Sequence, residues 1–377
     1  MEIYLDNSST TKPCSEAVNA AILSMKENWG NPSSLHRLGF NADRAVEEAR
    51  QIVADSLFAD KNEIFFTSCG TESNNTAIIG AVNSLKKRGN RIVTTSIEHP
   101  SVLNTMRRLE DEGFEVIYLK PDQSGVISGN DIFEAINNKT ILVSMMYVNN
   151  ETGYVLPVEV CKRAIKAASS PALLHCDAVQ AYGKLPVKLK NSGIDLLSIS
   201  GHKIHAPKGI GALYIRNGVH IKPYLSGGGQ EKGMRSGTEN VPFISALGAA
   251  VKALPDIKKQ LEKTKELSDY TREILIKSGF VKINSKKDAL PYILNISVPG
   301  YRSETLLHFL ESRDIFVSSG SACSKGKGSY VLSEFGLSKD MVDSALRISF
   351  SRFNTKDDAD KLLLALKEAV NTLRRSC

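Results

Sequence analysis

The chain has 377 residues, 42% of them hydrophobic and 24% charged, with 27 glycines and 13 prolines. A monomer of this size buries about three quarters of its unfolded surface, which excludes a miniprotein held by disulfides or metal, and the composition excludes disordered and collagen-like chains. Forty-eight Lys and Arg against 41 Asp and Glu leave a formal charge of +7, and the basic residues are spread among predicted helices rather than gathered in a tract, so direct nucleic acid binding gains little support.

In chain order, the opening MEIYLDNSSTTKP lacks the basic and apolar regions of an export leader, and no apolar run reaches the ~18 residues of a membrane span, so a cytoplasmic location away from membranes is expected. Residues 41–58 repeat apolar positions at helical spacing, IFFTS at 64–68 reads as a strand, and a helix is expected to start near Thr71. Strands RIVTTS (91–96), FEVIYL (114–119), TILVSMMYV (140–148), ALLHCD (172–177) and DLLSIS (195–200) follow, with helices over 100–112 and 157–169 among them. Short apolar strands between amphipathic helices predict an α/β fold with a mostly parallel sheet covered on both faces. Beyond the Gly-rich stretch 226–237 a long charged helix is expected over 243–278, then VKIN, ILNISV, a helix over 303–312, FVSSGSAC, a helix near 329–335, ALRISFS and a final helix over 355–375. This pattern suits a smaller α+β domain, with the large domain spanning 16–255 and the small one 1–15 and 256–377.

Candidate chemistry concentrates in SISGHKIHAPKGIGALYIR at 198–216, where Lys203 follows a buried strand beside Ser200 and His202. Alone, Lys203 reads equally as a solvated loop lysine. Asp177, however, ends another strand of the same predicted sheet 26 residues earlier, and open α/β sheets gather ligands at the carboxyl ends of their strands. An amine, an acid to hold a ring nitrogen protonated, and donors at a helix start are what pyridoxal 5'-phosphate requires. Gly70 and Thr71 begin the helix after IFFTS, and Ser200 and His202 add donors from the lysine loop. His99, at the end of RIVTTSIEH, suits stacking on the ring and proton exchange, although alone it reads as well as a satisfied loop histidine. The six cysteines include no CxxC pair, so no metal site is expected. Cys14, Cys69, Cys161 and Cys176 read as small buried hydrophobes and Cys377 as incidental. Cys323 differs: it lies among Ser and Gly, ahead of a small-residue loop in which Lys325 and Lys327 favour thiolate.

The chain resembles the cysteine desulfurases of the NifS and IscS type, within the aminotransferase-like PLP enzymes. The likeness runs through YLDNSSTTKP (4–13), GNPSSLHRLG (30–39), TSCGTESNN (67–75), SIEHPSV (96–102), YVNNETG (147–153), HCDAVQAYGKLPV (175–187), SGHKIHAPKGIGALYIR (200–216), GGGQEKGMRSGTEN (227–240), SSGSAC (318–323) and ALRISFSRF (345–353). It implies the fold-type I architecture, a large PLP-binding domain with a central mostly parallel sheet and a small α+β domain carrying the cysteine loop. It further implies that Lys203 binds the cofactor covalently, that Asp177 partners the pyridine nitrogen, and that His99 stacks on the ring. Asn150 and Gln180 then bond the region of the ring's phenolic oxygen, Asn150 also meeting substrate, while Gly70, Thr71, Ser200 and His202 hold phosphate. Arg347 clamps the substrate carboxylate, and Thr238 reaches the cofactor of the neighbouring subunit in a homodimer. The implied reaction converts L-cysteine to L-alanine, Lys203 moving the α-proton and Cys323 taking the sulfur as a persulfide for an acceptor protein in iron–sulfur cluster assembly or tRNA or cofactor thiolation. The sequence departs from the family at SKGKG after Cys323, which is shorter than in the housekeeping members, at Ser351 where glycine is expected, and at Cys69, usually a small residue.

Three other readings stay open at this point. A selenocysteine lyase or C–S lyase would use Lys203 and Asp177, the lyase without needing Cys323, and an aminotransferase would convert the cofactor to its amino form. A sulfur-relay scaffold would retain the fold without the cofactor. A nicotinamide dehydrogenase is disfavoured, because no GxGxxG follows the first strand.

Overall fold

The computed structural model describes residues 2–122, 125–187, 189–319 and 328–375. In chain order its strands are β1 (Ile3–Tyr4), β2 (Ile64–Thr67), β3 (Arg91–Thr95), β4 (Glu115–Leu119), β5 (Thr140–Met146), β6 (Leu173–Asp177), β7 (Leu196–Ser200), β8 (Gly211–Ile215), β9 (Lys282–Ile283), β10 (Ile293–Ser297), β11 (Ile315–Phe316), β12 (Ser318–Ser319) and β13 (Ala345–Ser349). Seven of them form one sheet in the order β2-β8-β7-β6-β5-β3-β4. Its central strands are rich in apolar residues, and β5, β7 and β8 are buried at every position, as strands covered on both faces must be.

The expected strands are present, and two more, β1 and β8, were not foreseen. GALYI folds as β8, antiparallel to both β2 and β7. Hidden inside the lysine motif, it carries the period of any short buried run, which pattern alone cannot assign. Because β8 reverses direction between β2 and β7, those two strands point the same way as β6, β5 and β3. The carboxyl ends of five strands therefore share one edge, and they lead to Gly70, His99, Asn150, Asp177 and Lys203.

The single helix expected over 243–278 is two helices, Val241–Lys252 and Ile257–Lys277. Pro255 has no amide proton and restricts Leu254, and Asp256 caps the second helix by accepting from the Lys259 amide. The first of the pair packs on the helices Ser15–Glu27 and Arg37–Ser56.

A second, antiparallel sheet has the order β12-β13-β10-β9, and β1 pairs with β11 in parallel. One apolar cluster joins these strands to the second helix and the last one: Ile3, Leu5, Leu275, Leu294, Ile296, Ile348, Leu362 and Leu366 are all within it. From β1 the chain runs beside β13, with Asn7 N donating to Ser349 O and Ser8 N to Ser349 Oγ (2.8 Å). Residues 6–11 thus leave one sheet and arrive at the edge of the other. Among the described residues no helix is long and apolar enough to cross a membrane.

Candidate active site

Lys203 ends a one-turn 3-10 helix, Gly201–Lys203, directly after β7. Its Nζ donates to Ser8 O (2.5 Å) and Ser9 O (2.7 Å), carbonyls delivered by the 6–11 segment. The turn is held on both sides, since Gly201 N donates to Ile210 O, Thr11 N to His202 O and His205 N to Thr11 Oγ1 (2.7 Å). Asp177, 5% exposed at the end of β6, accepts from Val179 N at Oδ1 (2.9 Å) and from Asn74 Nδ2 at Oδ2 (2.8 Å).

Asn74 links the carboxylate to the histidine. Its Nδ2 also donates to Ser101 Oγ (2.9 Å), which lies 2.8 Å from His99 Nδ1. His99 caps the helix Pro100–Asp111, and its Nδ1 accepts from Ser101 N (3.1 Å), so the neutral ring carries its proton on Nε2. Burial pulls the His99 pKa below its usual value; Asp177 opposes this and Lys203 adds to it. His202, bonded through Nδ1 to Thr10 Oγ1 (3.2 Å), falls to about 4, by burial first and then by Lys203. Both rings are therefore neutral at physiological pH.

The start of the helix Gly70–Leu85 comes unusually close to this edge. A Cβ on Gly70 would stand 2.7 Å from Val179 Cγ2 and 3.3 Å from Ser200 Cβ, so glycine lets the helix terminus sit close against the turn after β6 and the end of β7. Thr71 beside it is exposed. Ser200 Oγ is buried and, among the described residues, has no hydrogen-bond partner, a costly arrangement in a packed interior. An unpaired hydroxyl, helix-start amides and a cradle kept open by glycine are a donor set for an anionic group, and with Asp177 and Lys203 alongside, the residues present fit pyridoxal phosphate.

Gln180 donates through Nε2 to Ser8 O (2.9 Å) and accepts at Oε1 from Lys184 Nζ (3.0 Å). Lys184 is fully buried; desolvation, with Lys203 and Arg347 nearby, lowers its pKa to about 7. Arg347 lies at the centre of β13 and is 6% exposed. It donates to Asn150 O (2.9 Å), Asp6 Oδ1 (3.0 Å) and Ser9 Oγ (2.5 Å), while its Nε is buried with no partner among the described residues. Thr238 is exposed in the segment after β8 and, among the described residues, makes no hydrogen bond to the rest of this cluster. Cys323 and Cys377 lie outside the described residues. The chain enters and leaves 320–327 beside the cluster, however, because Ser318 pairs with Arg347 across β12 and β13, and Ser329 bonds to Glu151.

The remaining cysteines have no nucleophile's surroundings. Cys14, Cys161 and Cys176 are buried, burial raising Cys161 to about 12 and Cys176 well above the ordinary thiol value, and Cys69 is partly buried at the cap of the Gly70–Leu85 helix. Ser351 has no positive φ and is held by Asn354 Oδ1 (2.8 Å from its amide), so its side chain is compatible with the backbone there. The residues that sequence reasoning left without roles are Ser8, Ser9, Asn74, Ser101 and Lys184. All lie inside recognised motifs, but their contribution is a partner across the fold that no spacing displays.

The class-V aminotransferase family model matches residues 3–362 of the chain. A protein of Trichormus variabilis named cysteine desulfurase 2 is 42% identical over 376 residues, covering 99% of this chain and 94% of its own length. Among solved structures, a NifS-like protein superposes with a TM-score of 0.93 at 37% identity, covering 99% of this chain and all of its own. A second, described as SspA in complex with cysteine, gives 0.83 at 34% identity, covering 94% of this chain and all of its own.

Proposed function

Because the chain belongs to the class-V aminotransferases and, among them, to the cysteine desulfurases of the NifS and IscS type, we propose that the cluster at the sheet edge converts L-cysteine to L-alanine and passes the sulfur to Cys323. The observation that carries the reading is the meeting of the Lys203 amine, the Asp177 carboxylate and the unpaired, buried Ser200 hydroxyl at one strand edge. When bound, pyridoxal phosphate supplies a carbonyl carbon for an amine and a ring that accepts electrons. Asp177 holds a proton on the ring nitrogen, Asn74 and Val179 N fixing both of its oxygens. Gly70, Thr71, Ser200 and His202 would hold the phosphate, and His99, with its proton on Nε2, would be the histidine beside the ring. Gln180 and Asn150 border the ring oxygen. Arg347, already supported by Asp6 and Ser9, receives the substrate carboxylate, to which its unpaired Nε adds a donor.

Lys203 exchanges its bonds to the Ser8 and Ser9 carbonyls for the α-proton of the bound cysteine. The Cys323 thiolate attacks the substrate sulfur: an S–S bond forms, the substrate C–S bond breaks, and the electron pair stays on the carbon fragment, which takes up protons and leaves as L-alanine. Cys323 is four residues past Ser319, so its Cα stays within about 14 Å of a strand end that borders Arg347. The same reading includes a cytoplasmic homodimer in which Thr238 completes the neighbouring site, a large domain over 16–255, a small one over 1–15 and 256–377, and an acceptor protein in iron–sulfur assembly or thiolation.

The test compares wild type with Cys323→Ala, both checked for cofactor absorbance, after addition of L-cysteine. Wild type is expected to release alanine and hold persulfide, and the variant to keep its cofactor and lose both. Alanine release at the wild-type rate in the variant would sink the assignment of Cys323, and pyruvate in place of alanine would mark a C–S lyase.

A further inference from the structure

Away from the lysine, hydrogen bonds tie three separate stretches of chain together. Asn149 Nδ2 donates to Ile97 O, and Asn149 Oδ1 accepts from the amides of Glu151 and Thr152, each at 3.0 Å. The turn that carries His99 and the turn that carries Asn150 are thereby one unit. The short helix Tyr330–Glu334 begins on top of both: Ser329 Oγ donates to Glu151 Oε2, and the Tyr330 hydroxyl donates to Glu98 O, the carbonyl directly before His99.

Neither bond is required to start that helix. Ser329 Oγ already caps it by accepting from Leu332 N (3.1 Å), and Phe335 N closes it on Val331 O. Glu151 is only 6% exposed, and burial pushes its carboxyl up to about 7 against the opposing effects of Ser329 and Arg347. A carboxyl kept in such a place at a desolvation cost, and answered among the described residues by one serine hydroxyl, serves to fix that serine's position.

We propose that Ser329 and Tyr330 are positioning residues for sulfur transfer, seating the chain that follows Cys323 on the two turns bearing His99 and Asn150. The inference rests on the desulfurase reading above. Cys323 is six residues before Ser329, a length of chain that spans at most about 21 Å. Releasing the seat enlarges the volume the thiol searches and lowers the fraction of time it spends against the substrate sulfur, while cofactor and substrate binding are untouched.

The experiment compares the double variant Ser329→Ala/Tyr330→Phe with wild type, with Cys323→Ala, and with Ser338→Ala, which removes the cap of a neighbouring helix and nothing else. The expected result is a fall in kcat for alanine of about tenfold or more with KM within twofold, an unchanged spectral response of the cofactor to L-cysteine, and faster amide exchange at 330–335 but not at 70–85. Ser338→Ala should keep wild-type kcat. A double variant with wild-type kcat, or one that loses cofactor and protection at 70–85 as well, overturns the inference in favour of a merely structural contact. If Cys323→Ala itself releases alanine normally, the desulfurase reading fails first and takes the inference with it.

Discussion

Two sides of the site are built differently. On the large sheet, Asp177, Asn74, Ser101 and His99 form one run of hydrogen bonds between neighbouring elements, and Lys203 sits in a turn bonded before and behind. On the other side, Arg347 and Ser329 belong to the second sheet and its helices, and reach the same edge through bonds to Asp6, Ser9, Asn150 and Glu151. The first side is an arrangement within one layer; the second exists only while two cores stay in register. In the proposed mechanism ring chemistry, which needs fixed geometry, falls to the first, and sulfur capture, which needs a group that arrives and departs, falls to the second.

Breaking the first side should have the largest effect. Asp177→Asn keeps the bond geometry to Val179 N but removes the charge that holds the ring proton, so kcat for alanine should fall on the order of a hundredfold or more, with a changed cofactor spectrum. A drop of less than about fivefold would mean that Asp177 serves only the fold. Arg347→Lys disturbs the second side: a point charge cannot replace three separate donations, and KM for L-cysteine should rise about tenfold while the cofactor spectrum in the absence of substrate stays the same. A parallel spectral change in that variant would erase the distinction between the two sides.

The smallest effect is on stability. Glu98 is fully buried, accepts from Thr95 Oγ1 and Met146 N at Oε1, leaves Oε2 unpaired, and is pushed by burial up to about 8. Its folded pKa lies above the unfolded value, so the folded state holds the proton more tightly, and its contribution is full below about 4.5 and is lost as pH rises towards 8 and beyond. Glu98→Gln removes that titration, and its melting temperature should decline less than that of wild type between pH 5 and pH 9, by about a few degrees. Parallel melting curves across that range would contradict it.

Sequence reasoning reached Lys203, Asp177 and His99 because each follows a strand whose apolar run ends abruptly, and strand ends are visible in pattern. It missed β8, since GALYI is an apolar run without alternation, and it ran two helices together because Pro255 stands inside an otherwise continuous helical period. It gave Asn74 no role for a different reason: the residue faces Asp177 across 103 positions of chain, and only the folded sheet sets them 2.8 Å apart. Motif matching preserved such residues without explaining them.

The hairpin of β7 and β8 has a kinetic corollary. Ser200 is paired with Gly211, and Gly201 N is bonded to Ile210 O, so the backbone on which Lys203 stands is clamped to its own return strand. In the proposed mechanism its amine leaves the Ser8 and Ser9 carbonyls, visits a substrate carbon and comes back within every turnover. With the main chain immobilised, that excursion is confined to the four side-chain torsions, which reorient in nanoseconds or faster in open surroundings. The proposed shuttling of the lysine is thus a rotameric event with few degrees of freedom, needing no movement of the main chain that carries it.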